Sequence, residues 1–289
     1  MRLILASLAL VLIAGFSGCK KYETVDITGN VAPPDRTIPN VTIETYVNKV
    51  YISLLGRKPD SVEYSYGYNL LRQSNLSSVS RTHFLDSVFS HIEYYDHLYN
   101  AARTELLNNF DTTQITQYLV MITNLLSDTA YQAAWPDIQR EINRIDSLQA
   151  LSWEYRGGLV STIEMHRRCV DNYFFDQLNM GSANFVIACF QHFLNRYPTD
   201  NELSEGINMV NGVPALLFLQ GGLSKNDFEH IFFSSDDYFE GQAVSLYNRF
   251  LFRNPNSEEM TSMSIKYKTH LDFKEIQMDI LSSNEYIGL

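Results

Sequence analysis

The sequence predicts an all-α protein with three copies of a helical repeat and a helical insertion between copies one and two. Apolar residues recur at steps of three and four along most of the chain, which is the spacing of an amphipathic helix. No run of alternating apolar and polar residues stands out as a strand. A ten-residue pattern occurs three times at predicted helix boundaries, which is typical of a repeated structural unit.

The repeated pattern reads apolar-apolar-x-Arg-x-Pro-[Asp/Thr/Asn]-x-x-Glu and begins at Leu54, Phe193 and Phe250. Proline lacks a backbone N–H and disfavours helical backbone in the residue before it, so a helix must end near each arginine. The residue after each proline is a good N-cap, and the glutamate three residues later has capping-box spacing. The pattern therefore predicts a structural joint between two helices, formed by Arg57, Pro59 and Glu63, by Arg196, Pro198 and Glu202, and by Arg253, Pro255 and Glu259.

Each copy ends in a second pattern, [Phe/Leu]-Ser-x-x-[Glu/Asp]-Tyr, which we call the closing pattern; its tyrosines are Tyr94, Tyr238 and Tyr286. Two interpretations of the joints are open. The arginine and glutamate form a site for an anion or a partner, or they pair and stabilise the joint; three copies at one kind of boundary favour the structural role. The closing tyrosines either stack on a sugar ring or close a hydrophobic cluster, and their place at repeat ends favours the cluster.

The first residues have the form of an export signal. Arg2 is followed by an apolar run over residues 3–16, which is too short to span a bilayer comfortably. Ser17 and Gly18 then precede Cys19, and small residues before a cysteine at this place resemble the lipobox of bacterial lipoproteins. We therefore predict a signal peptide at residues 1–18 and lipidation of Cys19. An ordinary secretory signal with a chance cysteine is the alternative, and it also directs the chain across the inner membrane.

The rest of the chain is predicted in order from its helical spacing and its helix breakers. Gly29, Pro33, Pro34 and Pro39 interrupt regular structure near the N-terminus and indicate a flexible tether. Farther on, Pro136 opens a helix of the insertion, because proline suits the first helical turn. The predicted boundaries are 19–41 for the tether, 42–95 for repeat 1, 96–181 for the non-repeated helical region, 182–240 for repeat 2 and 241–289 for repeat 3.

The charge balance limits the partners. Loss of the signal peptide removes Arg2 and no acidic residue, which takes the net charge from −11 to −12. A chain this acidic repels nucleic acid and anionic lipid surfaces, so we predict no nucleic-acid partner. Membrane attachment is expected through the lipid on Cys19 rather than through basic patches. Lys20 would be the second residue of the mature protein, and a lysine at this position resembles the pattern of lipoproteins of the outer membrane. The periplasmic face and the cell-surface face of that membrane are both open as the location.

The sequence offers no catalytic or metal-binding motif. A serine nucleophile elbow, HExxH, a Walker loop and GxGxxG are all missing, so we predict no enzyme, no cofactor and no metal. His166 and Cys169 lie three residues apart on a predicted helix, but a catalytic pair would also need an orienting third group. Cys169 and Cys189 could form a disulfide in an oxidising compartment, or each could be a buried free thiol.

The joints resemble a family of domains of unknown function that is typed by Leu-Gly-Arg-x-Pro-Asp and a closing Ser-x-Glu-Tyr or Phe. The nearest match is Leu55-Gly56-Arg57-Lys58-Pro59-Asp60, and the resemblance covers roughly half of the mature chain. Asn195 and Phe252 stand where the family has its glycine. These domains occur in bacterial surface and secreted proteins, and a similar helical frame occurs in phycobilisome linkers. The tether is similar to those of Bacteroidota lipoproteins. The resemblance implies a helical binding or scaffolding module without catalytic residues.

Three functions follow as hypotheses. The first is a non-enzymatic, lipid-anchored protein that binds or scaffolds another envelope protein. The second is a glycan-binding accessory lipoprotein, a hypothesis suggested by the 18 tyrosines of the chain. The third is a hydrolase that uses Cys169 or an unrecognised cleft.

Overall fold

A computed structural model describes residues 38–289. This part of the chain is 77% helical and contains fifteen α-helices and one two-stranded sheet, which confirms the all-α prediction. The helices are α1 (Asn40–Leu55), α2 (Ser61–Gln73), α3 (Ser78–Phe89), α4 (Ile92–Leu107), α5 (Thr112–Asn124), α6 (Trp135–Arg156), α7 (Thr162–Val170), α8 (Tyr173–Leu178), α9 (Ser182–Leu194), α10 (Asp200–Val210), α11 (Lys225–Ser234), α12 (Asp236–Leu251), α13 (Ser257–His270), α14 (Phe273–Leu281) and α15 (Asn284–Ile287). Two 3-10 turns, Leu125–Ser127 and Thr129–Ala134, connect α5 to α6.

The helix before each joint ends in the same way. Gly56, Asn195 and Phe252 are the C-caps of α1, α9 and α12, and all three adopt left-handed backbone, with φ of 71°, 55° and 56°. The left-handed turn redirects the chain so that proline can follow and the next helix can begin. Glycine meets this need without a steric cost at Gly56. A Cβ there would also lie only 2.8 Å from Nδ1 of His97, so a larger residue at this place would have to displace that ring.

Two predicted repeat boundaries fall inside continuous helices. The boundary at residue 95 lies within α4, and the boundary at 240 lies within α12. The reason is that each closing pattern begins at the end of one helix and finishes in the first turn of the next, whose N-cap is His91, Ser235 or Ser283. The last turn of one unit and the first helix of the next are therefore a single element in these places.

The segment predicted as repeat 3 packs directly against the segment predicted as repeat 1; we call the three predicted repeats units. The hydroxyl of Tyr46 on α1 donates to the carbonyl oxygen of Leu281 at 3.0 Å, and the hydroxyls of Ser53 and Tyr286 lie 2.9 Å apart. The hydroxyl of Tyr94 donates to Oε1 of Gln277 at 2.7 Å. The buried apolar residues of all units consequently form one continuous core.

The sequence prediction missed one element. Residues 213–223, within predicted repeat 2, contain an antiparallel hairpin of β1 (Ala215–Leu217) and β2 (Gln220–Gly222). The pairing register is Ala215 with Gly222, Leu216 with Gly221 and Leu217 with Gln220, so Phe218 and Leu219 form the turn. We call residues 213–223 the apolar hairpin, for the side chains described below.

The N-terminal predictions lie mostly outside the described residues. The predicted signal peptide at 1–18, the predicted lipidation of Cys19 and the predicted tether as far as residue 37 lie outside the described residues. Helix α1 begins at Asn40, two residues before the predicted start of repeat 1. Among residues 38–289, no helix combines the length and the apolar character that a membrane crossing requires.

Candidate functional site

The first joint is held by one arginine that binds two carboxylates. Nη1 and Nη2 of Arg57 donate to the two carboxylate oxygens of Glu63 at 2.7 and 2.8 Å. Nε and Nη2 also donate to Glu93 of the closing pattern at 3.0 and 2.8 Å. The capping box is formed as well, because Asp60 caps the backbone of α2 and Glu63 accepts from the Asp60 N–H. Arg57 thus connects the joint to the end of its own unit.

The other two joints repeat this arrangement. Arg196 binds Glu202 with two hydrogen bonds of 2.8 and 2.7 Å and also donates to Asp237. Arg253 binds Glu259 at 2.7 and 2.8 Å and donates to Glu285 from Nε and Nη2. Thr199 and Asn256 form the capping boxes. In each unit the second carboxylate is the acidic residue of the closing pattern, which the sequence prediction had not connected to the arginine.

The joint arginines have little capacity to bind a further anion. Nη1 of Arg57 also donates to the carbonyl oxygen of Lys58, so all five N–H groups of Arg57 have partners. All five N–H groups of Arg253 likewise have partners. The hydrogen bonds from the arginines lower the pKa of Glu63 and of Glu202 to about 2, so both are ionised at neutral pH. This geometry supports a structural role for the joints.

The closing tyrosines are core residues. Tyr94, Tyr238 and Tyr286 are all buried, and each packs edge-on or tilted against neighbouring aromatic rings. Burial raises the pKa of Tyr94 and Tyr238 well above the usual value. A buried ring has no free face for a sugar, so these residues do not provide the stacking platform that glycan binding would need.

The two cysteines do not form the disulfide that the sequence left open. Cys169 on α7 and Cys189 on α9 are both buried, free thiols. Each occupies an apolar core position, where a free cysteine packs like a small hydrophobic residue. Burial raises the pKa of Cys169 to about 12, so its thiol stays protonated at neutral pH.

His166 does not activate Cys169. Nδ1 of His166 is hydrogen-bonded to the Tyr238 hydroxyl at 2.8 Å. Burial lowers the pKa of His166 to about 4, so the imidazole is neutral at pH 7. A neutral imidazole with a tyrosine partner and a protonated buried thiol is the opposite of the ion pair that a cysteine nucleophile needs. Within the described part of the chain, no group of three or more His, Cys, Asp or Glu residues could hold a metal ion.

The apolar hairpin is the feature that sequence reasoning missed. Four of its aliphatic side chains are exposed to solvent: Val213, Leu216, Leu219 and Leu223. Leu219 at the tip is 97% exposed. Single exposed apolar residues are common, but four on one short hairpin form a patch of the kind that marks an interaction site.

The turn of the apolar hairpin is conformationally costly. Phe218 and Leu219 have φ of 49° and 65°, so both central residues are left-handed, as in a type I′ turn. Such turns favour Asn-Gly, because left-handed backbone costs most other residues about 1–2 kcal/mol. The Phe218 ring packs near Phe190 and Phe232, at centroid distances of 5.9 and 6.3 Å, which offsets its cost. Leu219 has no comparable burial, so the fold does not explain its presence.

The base of the apolar hairpin is fixed to the helices around it. Oε2 of Glu205 on α10 accepts the Leu216 N–H at 2.7 Å, and Oδ2 of Asp227 on α11 accepts the Leu223 N–H at 3.0 Å. Leu217 is buried in the core. The hairpin therefore presents its exposed side chains from a rigid support. The sequence signals for it were Val213-Pro214 and Gly221-Gly222, which indicate a break in helix but not which residues are exposed.

No protein-family model, curated protein or solved structure matches the chain, so the resemblance to the Leu-Gly-Arg-x-Pro-Asp domains stays a prediction.

Proposed function

We propose that this protein is a non-enzymatic, lipid-anchored envelope protein that binds another envelope protein through the apolar hairpin. The observation that carries the proposal is the group of four exposed aliphatic side chains on the apolar hairpin, with Leu219, 97% exposed on left-handed backbone, at its tip. Strain that the fold does not need is often retained where a residue serves a function. A bound partner would cover Leu219 and recover the hydrophobic free energy that the free protein forgoes.

The expected contact is made by side chains rather than by strand addition. The Leu216 N–H, which points away from β2, is already bonded to Glu205 at 2.7 Å. A partner strand would have to displace this carboxylate to pair with β1. The exposed Leu216, Leu219 and Leu223 instead fit a partner with an apolar pocket, where one or two anchors supply most of the affinity.

The non-enzymatic part of the proposal rests on two supports. The sequence contains no catalytic motif, and the reactive pair it did contain, His166 and Cys169, is held in an inactive protonation state. The charged groups of the joints bind one another. The lipid anchor and the envelope location rest on residues 1–19 of the sequence alone.

Site-specific cross-linking in cells tests the proposal. A photoreactive phenylalanine analogue replaces Leu219 in the full chain, and in a matched strain it replaces Val79, an exposed aliphatic residue on α3. We expect position 219 to give a discrete adduct with one envelope protein and position 79 to give none. Leu216→Asn in the same chain should reduce the adduct from position 219. Equal adducts at both positions, or none at 219, would contradict the proposed contact.

A further inference from the structure

A cavity of about 330 Å³ lies where α4, α7, α9 and α12 meet. Its floor is apolar and buried, and it is formed by Leu98, Ala102, Leu106, Met165, Phe193 and Leu246. Its rim is polar and includes Glu105, His192, Asn248 and Arg249. An apolar floor with a few polar groups at the mouth is the usual form of a small-molecule site. Because one water molecule takes about 30 Å³ of liquid, the volume suits a ligand of roughly ten non-hydrogen atoms.

Arg249 at this rim differs from the three joint arginines. Nη2 donates to the carbonyl oxygen of Ser53 at 3.3 Å and to Nε2 of His97 at 3.0 Å. Within residues 38–289, Nε and Nη1 of Arg249 have no hydrogen-bond partner, and no carboxylate lies within ion-pair distance. Arg57, by contrast, binds two carboxylates. Arg249 is therefore a cation at a cavity mouth without an anion of its own.

The other polar groups at the cavity are neutral or already paired. Nδ1 of His166 is bonded to the Tyr238 hydroxyl, while its Nε2 has no partner in the described chain. Glu105 lies 3.1 Å from Nδ1 of His192, and that hydrogen bond lowers the pKa of Glu105. His166 and Arg249 thus keep unused nitrogen atoms among the residues that line the cavity, and Glu105 attracts Arg249 only at longer range, without a hydrogen bond or ion pair between them.

We infer that this cavity binds a small organic carboxylate, with the carboxylate at Arg249 and an apolar body on the floor that Leu98, Ala102 and Leu246 form. The guanidinium group is suited to carboxylates by shape as well as by charge. Inorganic phosphate or sulfate fits poorly, because neither ion has an apolar part to cover the buried floor. A monoanion with an aliphatic tail satisfies both halves of the site.

Two sources share this chemistry, a simple carboxylic acid and an α-amino acid. An amino acid would also bring an ammonium group, for which Glu105 is the carboxylate at the rim. The probes are therefore 4-methylpentanoate and leucine, which have the same branched tail. The control compound is 3-methylbutylamine, which has this tail but no carboxylate. Calorimetric titration of the full chain in detergent measures their binding.

We expect one or both carboxylates to bind and the amine not to bind. Arg249→Gln should weaken binding about 10- to 100-fold, which corresponds to the loss of a hydrogen bond to a charged group. Arg72→Gln is the matched control, since Arg72 is an exposed arginine on α2 outside the cavity. Ala101→Leu, which fills the cavity and changes no charge, should abolish binding. A loss with Glu105→Gln for leucine alone identifies the amino-acid source.

The inference is wrong if neither carboxylate binds at millimolar concentration, or if the amine binds as tightly as the acids. Equal binding by Arg249→Gln and Arg72→Gln would also overturn it. Thermal unfolding of each variant shows whether the chain is folded. Should Arg249→Gln fail to fold, the Ala101→Leu result decides, and unchanged binding in that variant rejects the cavity as the site.

Discussion

Glu229 on α11 is a buried carboxyl group, and its replacement by glutamine gives the sharpest test of the structure. The residue is 1% exposed, and neither carboxyl oxygen has a hydrogen-bond partner in the described chain. The nearest cationic group is Nη1 of Arg167 at 3.8 Å, and Arg167 already binds Glu164. Counted back from the closing pattern, Leu85 and Gln277 occupy the same place in the other units.

Burial raises the pKa of Glu229 from 4.5 to about 8, with Asp171 adding to the shift. The folded chain therefore holds this proton more tightly than the unfolded chain does. The stability that the proton provides is complete below the unfolded pKa and is lost as the pH rises toward the folded pKa. One pKa unit corresponds to about 1.4 kcal/mol, so we expect the free energy of unfolding to fall by about 3–4 kcal/mol between pH 5 and pH 8 from this group alone.

Glu229→Gln removes this titration and keeps the shape of the side chain. We expect the variant to gain stability relative to the wild type by about 3–4 kcal/mol between pH 5 and pH 8. Urea denaturation at four pH values, followed by circular dichroism, measures the difference. Glu44→Gln, at an exposed position on α1, is the control and should follow the wild type. Parallel pH profiles for the wild type and Glu229→Gln would refute the assignment of Glu229 as a buried neutral acid.

Three further predictions concern the turn, a joint and the anchor. Leu219→Gly removes the left-handed strain and should raise the free energy of unfolding by about 0.5–1 kcal/mol; a loss of stability in urea denaturation would contradict the account of the turn. Arg57→Met leaves Glu63 and Glu93 without their shared cation and should cost about 1–2 kcal/mol, a range that allows for solvent screening; an unchanged urea midpoint would count against the joint. Cys19→Ala should move the protein from the membrane fraction to the soluble fraction, and retention in membranes would argue against lipidation.

The joints were predictable because their determinants are local. Proline, the N-cap and the glutamate lie within a few residues of one another, and each acts on the backbone beside it. The second carboxylate of each arginine was harder to predict. Glu93 lies 36 residues from Arg57, and only tertiary packing brings the two together. The signal available was the recurrence of an acid before the tyrosine in all three closing patterns.

Other features could not be read from local sequence. The hydrogen bond between Tyr46 and Leu281 joins residues 235 positions apart, and no short pattern encodes such a contact. The apolar hairpin was missed because its turn residues, Phe218 and Leu219, are not those that two-residue turns favour. Residue preferences identify turns whose own residues favour the turn backbone. They do not identify a turn that is stabilised by contacts with surrounding residues. Here Glu205 and Asp227 hold the strands from outside.

Phe252 and Asn195 together show why exposed apolar residues on strained backbone deserve a functional explanation. Both are left-handed caps before a joint arginine, with φ of 56° and 55°, so the same backbone accepts an asparagine. Phe252 is nevertheless 85% exposed and gains little from burial. Because asparagine tolerates this conformation at lower cost, stability alone would not favour phenylalanine. Leu219 is likewise exposed and on left-handed backbone, and it belongs to a patch with three further exposed aliphatic residues. The patch, rather than strain by itself, is therefore what directs the proposal to the apolar hairpin.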